Sequence, residues 1–206
     1  MVSPHGRSSG VYAGVMGSLD GFGVCGRSMT SATDADAAEE LAGVWGRPFL
    51  EPPVDHGIAG ALLIMGWMGD RPVVAATLAG TTGPGAPGQP AGVIEDAVGL
   101  ADAVLSISNG RRFGLVASAH TSAALSPSAP LLDRPEGHAL DERVLAALGH
   151  DASDIADIEP GLWRAAGACG AGPLTVFARL FAGRHAGVLA YEAPAGVGYL
   201  VAQAAV

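Results

Sequence analysis

Two histidines and one glutamate, far apart in the chain, have the side-chain chemistry of a transition-metal site. His5 lies within Ser-Pro-His-Gly, His56 within Asp-His-Gly, and Glu192 within Tyr-Glu-Ala-Pro-Ala-Gly, so each is close to a glycine or proline that can turn the backbone. Imidazole suits iron, copper and zinc, and two histidines with one carboxylate leave coordination positions open for oxygen and substrate. The three motifs therefore predict a divalent metal site.

Each candidate also has an ordinary structural interpretation. The apolar run 187–191 predicts that Glu192 enters a core, where a carboxylate costs several kcal/mol unless a cation or hydrogen bonds compensate it. A bound metal is one interpretation, and a solvated carboxylate just past a strand is the other. His5 could be a solvated histidine near the terminus. His56 precedes an apolar run and could cap a helix, whose dipole would lower its pKa.

Composition excludes several classes of function. A net charge of −9 argues against partners such as nucleic acid or an anionic membrane surface. All eleven basic residues are arginines, which excludes a Schiff-base lysine, a pyridoxal-phosphate anchor and a Walker A loop. Cys25 and Cys169 form no Cys-x-x-Cys pair and fit a reducing cytosol. No apolar run is long enough to cross a bilayer, so we expect a cytoplasmic protein.

The hydrophobic pattern predicts alternating strands and helices in a single domain over residues 1–206. The predicted strands are 11–15, 21–24, 72–78, 113–119, 187–191 and 199–204. The predicted helices are 34–43, capped by Thr33, then 58–67, 94–108, 139–148 and 173–181. Residues 81–92 are predicted to form a flexible surface loop, and 127–137 another loop. This alternation is typical of an α/β domain with helices on both faces of a sheet.

The order and flanks of the three motifs resemble the class III extradiol dioxygenase superfamily, which includes the Memo-like proteins. The resemblance implies a three-layer α/β sandwich with a central, mostly parallel or mixed sheet. It also implies that His5 and Glu192 bind a mononuclear non-haem iron(II), and that His56 orients or protonates the bound oxygen species. Residues 167–170, Gly-Ala-Cys-Gly, resemble the family's Gly-Glu-Cys-Gly turn, so the likeness covers nearly the whole chain.

The chain departs from the family pattern at the base position. Residues 118–123 read Ser-Ala-His-Thr-Ser-Ala, where the family often has Ser-Gly-Asp-Leu-Ser-His with the last histidine as general base. Ala123 cannot accept a proton. His120, displaced by three residues, is the candidate catalytic replacement, and a surface loop histidine is the alternative. Ala168 replaces the acid of the Gly-Glu-Cys-Gly turn.

A second departure concerns the start of the chain. Family members carry a further metal-binding histidine, often in His-Pro-Pro, before the Ser-Pro-His-Gly segment, whereas this chain begins at Met1 inside that segment. We therefore expect the DNA upstream of Met1 to encode another strand, ending in a histidine, and a helix.

Two functions follow as expectations from the resemblance. The first is extradiol cleavage of a catecholic substrate with O₂ at iron(II). The alternative is a catalytically degenerate Memo-like protein that binds a metal or a partner. A hydrolase is a distant third, because Ser118 and Ser122 lie in no nucleophile elbow. The resemblance also allows a homo-oligomer.

A shared site requires His5, His56 and Glu192 to converge, with His5 and Glu192 within about 5 Å of each other.

Overall fold

The computed structural model of the chain describes residues 1–66, 71–79 and 90–205. Its contacts divide it into two compact units. The first unit comprises Met1–Ala79 and Asp102–Ser118, and the second comprises Gly80–Ala101 and Ala119–Val206. The prediction that residues 1–206 form one domain stays a prediction.

The first unit contains a four-stranded mixed sheet. Its strands are β1 (Val2–Gly6), β2 (Gly10–Tyr12), β5 (Phe49–Leu50) and β6 (Ala76–Ala79), and a separate hairpin is formed by β3 (Val15–Ser18) and β4 (Ser28–Ser31). The sheet order is β1-β6-β2-β5, with β1 parallel to β6, β2 antiparallel to β6 and β2 parallel to β5. β1 is buried over most of its length, so the histidine that it carries is held on a fixed backbone.

Two helices complete the first unit. Helix α1 (Ala35–Trp45) is capped by Asp34, whose side chain accepts a 3.0 Å hydrogen bond from the Ala37 amide, so the predicted Thr33 cap is wrong by one residue. Helix α2 (His56–Ile64) buries Ile58, Ala59 and Leu62 in the first unit's core. The helix is not buried on every side, because Ile64 is 88% exposed.

The second unit is mainly helical. It contains the start of α3 (Pro90–Ile107), then α4 (Pro135–His150), α5 (Pro160–Ala165), α6 (Ala171–Leu180) and an antiparallel hairpin of β7 (Gly187–Glu192) and β8 (Tyr199–Gln203). Its core is built from α4, α5 and the turn between them, around Leu140, Val144, Leu148, Ile155 and Trp163. Helices α4 and α6 and strands β7 and β8 confirm the predicted helices 139–148 and 173–181 and the predicted strands 187–191 and 199–204, whereas α5 was not predicted.

The short elements agree less well with the prediction. Residues 113–119 form no strand and make a single parallel bridge, between Val2 and Ala117. Residues 20–22 form a 3-10 turn where an extended segment was predicted. Residues 81–89 of the predicted loop 81–92 lie outside the described residues, and 90–92 belong to α3.

The class prediction holds at the coarse level, since the protein is mixed α/β with a mixed sheet. Among the residues that the structure describes, no helix combines the length and apolar character needed to cross a membrane.

Candidate functional site

The first unit brings two of the predicted site residues into contact. His5 lies on β1 and His56 is the first residue of α2. Their ring centroids are 4.0 Å apart with the ring planes at 35°, and both side chains are partly exposed. The two imidazoles therefore form a pair at the protein surface, which we call the imidazole pair.

Asp55 fixes the start of α2 beside β1. One carboxylate oxygen, Oδ1, accepts hydrogen bonds from the amides of Gly57 (2.9 Å) and Ile58 (3.3 Å), which makes Asp55 the N-cap of the helix. The same oxygen accepts a 2.6 Å hydrogen bond from the Ser3 hydroxyl group on β1. This carboxylate therefore ties the strand that carries His5 to the helix that begins with His56.

Gly57 allows the close approach of these two elements. A Cβ atom at this position would overlap Ser3 Oγ and lie 3.0 Å from His5 Cδ2. The Gly57 carbonyl also accepts a 2.8 Å hydrogen bond from the Ser118 hydroxyl group. The Asp-His-Gly motif thus provides a cap, an imidazole and the space that lets this imidazole reach His5.

A third ring, Phe22, packs against the imidazole pair. Its centroid lies 4.5 Å from that of His56, with the planes at 43°. Phe22 lies in the loop between β3 and β4 and is 63% exposed. The sequence pattern did not indicate this contact, because it predicted residues 21–24 to be extended.

The electrostatic environment favours the metal-binding form of His56. Burial lowers the pKa of the His56 imidazole below its ordinary value, and the neighbouring Asp55 carboxylate opposes that shift. A neutral imidazole has the lone pair that a metal ion requires. Asp55 Oδ2 is buried with no partner at hydrogen-bonding geometry in the described chain, and burial together with this carboxylate raises the pKa of Tyr12 to about 12.

Glu192 differs from its sequence prediction. The whole of β7, Glu192 included, is exposed, so the argument that a buried carboxylate needs a compensating cation is wrong. The strand lies in a two-stranded sheet, where a period-two pattern leaves one face in solvent. Glu192 belongs to the second unit, and the predicted approach of Glu192 to His5 stays a prediction.

His120 is held within the second unit by both of its ring nitrogens. Nε2 lies 3.1 Å from the Gly167 carbonyl oxygen, and Nδ1 lies 2.9 Å from Cys169 Sγ. Because a carbonyl only accepts, Nε2 carries the proton and Nδ1 accepts from the thiol. Burial raises the pKa of Cys169 to about 12, so this side chain is a neutral thiol. His120 is partly buried in a segment without regular secondary structure.

The β7–β8 hairpin is anchored by a buried carboxylate, that of Asp141. Asp141 Oδ2 on α4 accepts hydrogen bonds from the hydroxyl groups of Tyr191 (2.5 Å) and Thr121 (2.9 Å). Burial and this carboxylate raise the pKa of Tyr191 above its usual range. Gly198 must lack a side chain, because a Cβ atom there would overlap both Asp141 Oδ2 and Thr121 Oγ1. The cluster holds the strand that carries Glu192.

The donor set of the imidazole pair fits part of the implied metal site. Two contacting imidazoles are suitable ligands for iron, copper or zinc. Within residues 1–66, 71–79 and 90–205, no group of three or more His, Cys, Asp or Glu side chains is arranged to hold a metal ion. His5 and His56 thus bring two imidazoles into contact within one unit.

Comparison of the sequence with models of known protein families gives no match, and comparison with curated proteins gives none either. The extradiol dioxygenase resemblance therefore rests on the motifs and stays a proposal.

Proposed function

We propose that this chain is a class III extradiol dioxygenase-like protein of the degenerate, Memo-like kind, which binds a divalent transition metal through His5 and His56. Iron(II) is the metal that the resemblance implies. The observation that carries the proposal is the contact between the two imidazoles, with ring centroids 4.0 Å apart. These two histidines lie 51 positions apart, in motifs that the resemblance had independently assigned to the site.

The surroundings of the pair support a role as metal ligands. The hydrogen bond between Asp55 and Ser3 joins the two backbone segments that carry the histidines. Little backbone freedom would therefore be lost when a metal ion binds. Because the pKa of His56 is lowered, its imidazole stays neutral at a lower pH than the imidazole of a free histidine does. Both imidazoles are partly exposed, which gives an ion access to them.

Bound iron(II) would supply a Lewis acid for the catecholic oxygens and electrons for O₂. The chain's own residues give little help with the proton transfers of ring cleavage. Ala123 occupies the family's base position, and His120 has hydrogen bonds at both nitrogens. A general base contributes about 10²–10⁴-fold in rate, so cleavage should be slow or absent.

The test is anaerobic Co(II) titration of the wild-type chain and of His5→Ala, His56→Ala and His138→Ala. His138 is a matched control, because it is exposed and paired with Asp133 in the second unit. The proposal predicts one Co(II) site that is lost in the first two variants and kept in the third. Equal Co(II) binding by all four proteins would overturn it.

A second assay separates metal binding from turnover. After anaerobic reconstitution with iron(II), catechol and O₂ should give little or no yellow ring-opened product. Brisk turnover that is abolished by His56→Ala would refute the degenerate assignment and leave metal binding in place.

A further inference from the structure

The hairpin of β7 and β8 presents apolar side chains to solvent. Along β8, Leu200 and Ala202 pack on the core of the second unit, whereas the alternate residues Tyr199 and Val201 are 51% and 58% exposed. On β7, Leu189 is 60% exposed. The outward face of β8 therefore consists of apolar groups that no other part of the described chain covers.

Strand β8 is also an edge strand with free backbone groups on one side. Its sheet has two strands, and β8 pairs with β7. Among the described residues, no backbone hydrogen bond joins Tyr199–Gln203 to any segment other than β7. The N–H and C=O groups along the outer side of β8 can therefore pair with another strand.

Natural sheets protect such edges with a charge, a proline or a bulge. Strand β7 has two of these devices, because Leu189 is an extra residue in the register between Val188 and Ala190, and Glu192 ends the strand. Strand β8 reads Tyr-Leu-Val-Ala-Gln and contains no charge, no proline and no extra residue. The unprotected edge of the hairpin is thus that of β8.

Charge favours a second copy of this chain as the source of the pairing strand. The net charge of −9 makes two copies repel each other as whole molecules, but Glu192 is the one charged residue between positions 187 and 203. If two β8 strands pair, both Glu192 side chains lie on outer strands. Three strand spacings of about 4.8 Å separate them by at least about 14 Å, more than the Debye length of about 8 Å. A basic partner, which the net charge would attract, finds no acidic group on β8.

We propose that β8 pairs with β8 of a second copy across a two-fold axis, so that the two hairpins form one four-stranded antiparallel sheet. Full-length pairing of Tyr199–Gln203 places the central residue, Val201, opposite Val201 of the second copy. The pairing uses both unprotected edges, so assembly closes at the dimer. The hydrogen bonds from Tyr191 and Thr121 to Asp141 hold the hairpin in place before the copies meet. This inference does not depend on the proposed metal binding.

Sedimentation velocity over a concentration series tests the dimer in the wild type, Val201→Glu and Val44→Glu. The wild type should shift reversibly from monomer to dimer mass as the concentration rises. Val201→Glu places two like charges opposite each other and should weaken the dimer by more than about 10-fold. Val44→Glu is the matched control, because Val44 is a valine of similar exposure, 51%, on α1 of the first unit. A wild type that stays monomeric, one that assembles beyond the dimer, or equal losses in the two variants would contradict the proposal.

Disulfide trapping tests the register by a gain of signal, which a misfolded variant would not give. In a Cys25→Ser background, which removes the exposed cysteine, Val201→Cys should form a covalent dimer under mild aerobic oxidation. Residues directly opposite in an antiparallel pair have Cα atoms about 4.5–5.5 Å apart, within the range of about 4.4–6.8 Å that a disulfide requires. Val44→Cys in the same background should stay monomeric. Equal cross-linking of the two variants, or none in Val201→Cys, would exclude the β8 interface.

Discussion

Gly57 gives the sharpest test of how β1 and α2 are packed. Replacing it with alanine adds a methyl group that would overlap Ser3 Oγ and lie 3.0 Å from His5 Cδ2. Ser3 cannot move freely, because it is buried on a strand and donates its hydroxyl proton to Asp55. We expect the substitution to push the strand and the helix apart.

The magnitude follows from two opposing effects. Overpacking of a well-packed contact costs about 1–3 kcal/mol. The gain in helix propensity from glycine to alanine offsets about 0.5–1 kcal/mol of that. Gly57→Ala should therefore lower the free energy of unfolding by up to about 2.5 kcal/mol, since the difference of these two ranges runs from about 0 to 2.5 kcal/mol. It should also weaken Co(II) binding, since the added methyl group would displace the His5 ring.

Gly60→Ala is the matched control within the same helix. A Cβ atom there would meet only Leu19 Cδ2, at an ordinary 3.9 Å. This variant should gain about 0.5–1 kcal/mol from helix propensity and bind Co(II) normally. Urea unfolding followed by tryptophan fluorescence measures both free energies. A Gly57→Ala protein as stable as Gly60→Ala would refute the packing described for the imidazole pair.

Two other predictions concern single groups. Asp55→Ala should lower the free energy of unfolding in urea by about 1–2 kcal/mol and also weaken Co(II) binding. Asp34→Ala, which removes the α1 cap, should lower it by about 1 kcal/mol and leave Co(II) binding intact; equal binding losses would contradict this. Tyr191→Phe removes one of the two hydroxyl groups that donate to the buried Asp141 carboxylate and should lower the free energy of unfolding in urea by about 1–3 kcal/mol; an unchanged midpoint would show that the hydrogen bond contributes nothing.

The sequence predicted the long elements because their periodicity extends over several turns. Helix α3, predicted over 94–108, spans Pro90–Ile107, and the β7 and β8 hairpin lies within two residues of its predicted bounds. Short segments contain too few residues for their periodicity to identify a helix or a strand. The apolar residues of 113–119 read as a strand, yet Phe113 is 52% exposed and only Ala117 makes a bridge.

Local motifs predicted part of the candidate site. The Asp-His-Gly segment indicated a helix start, and the structure places His56 there with Asp55 as its cap. Contacts between distant segments were not accessible to pattern reasoning: Phe22 on His56 and Cys169 on His120 depend on tertiary packing. Burial of Glu192 was inferred from apolar neighbours, but a two-stranded hairpin leaves such neighbours in solvent.

The claim that His5 and His56 bind one metal ion together is tested most directly by counting imidazole ligands. Pulsed electron paramagnetic resonance on a sample loaded with one equivalent of Cu(II) resolves the remote nitrogen of each bound imidazole, and copper is an ion that imidazole suits. The account predicts two coupled imidazoles in the wild type, and one in each of His5→Ala and His56→Ala. A wild-type signal with one imidazole or none, or a signal that neither substitution changes, would contradict it.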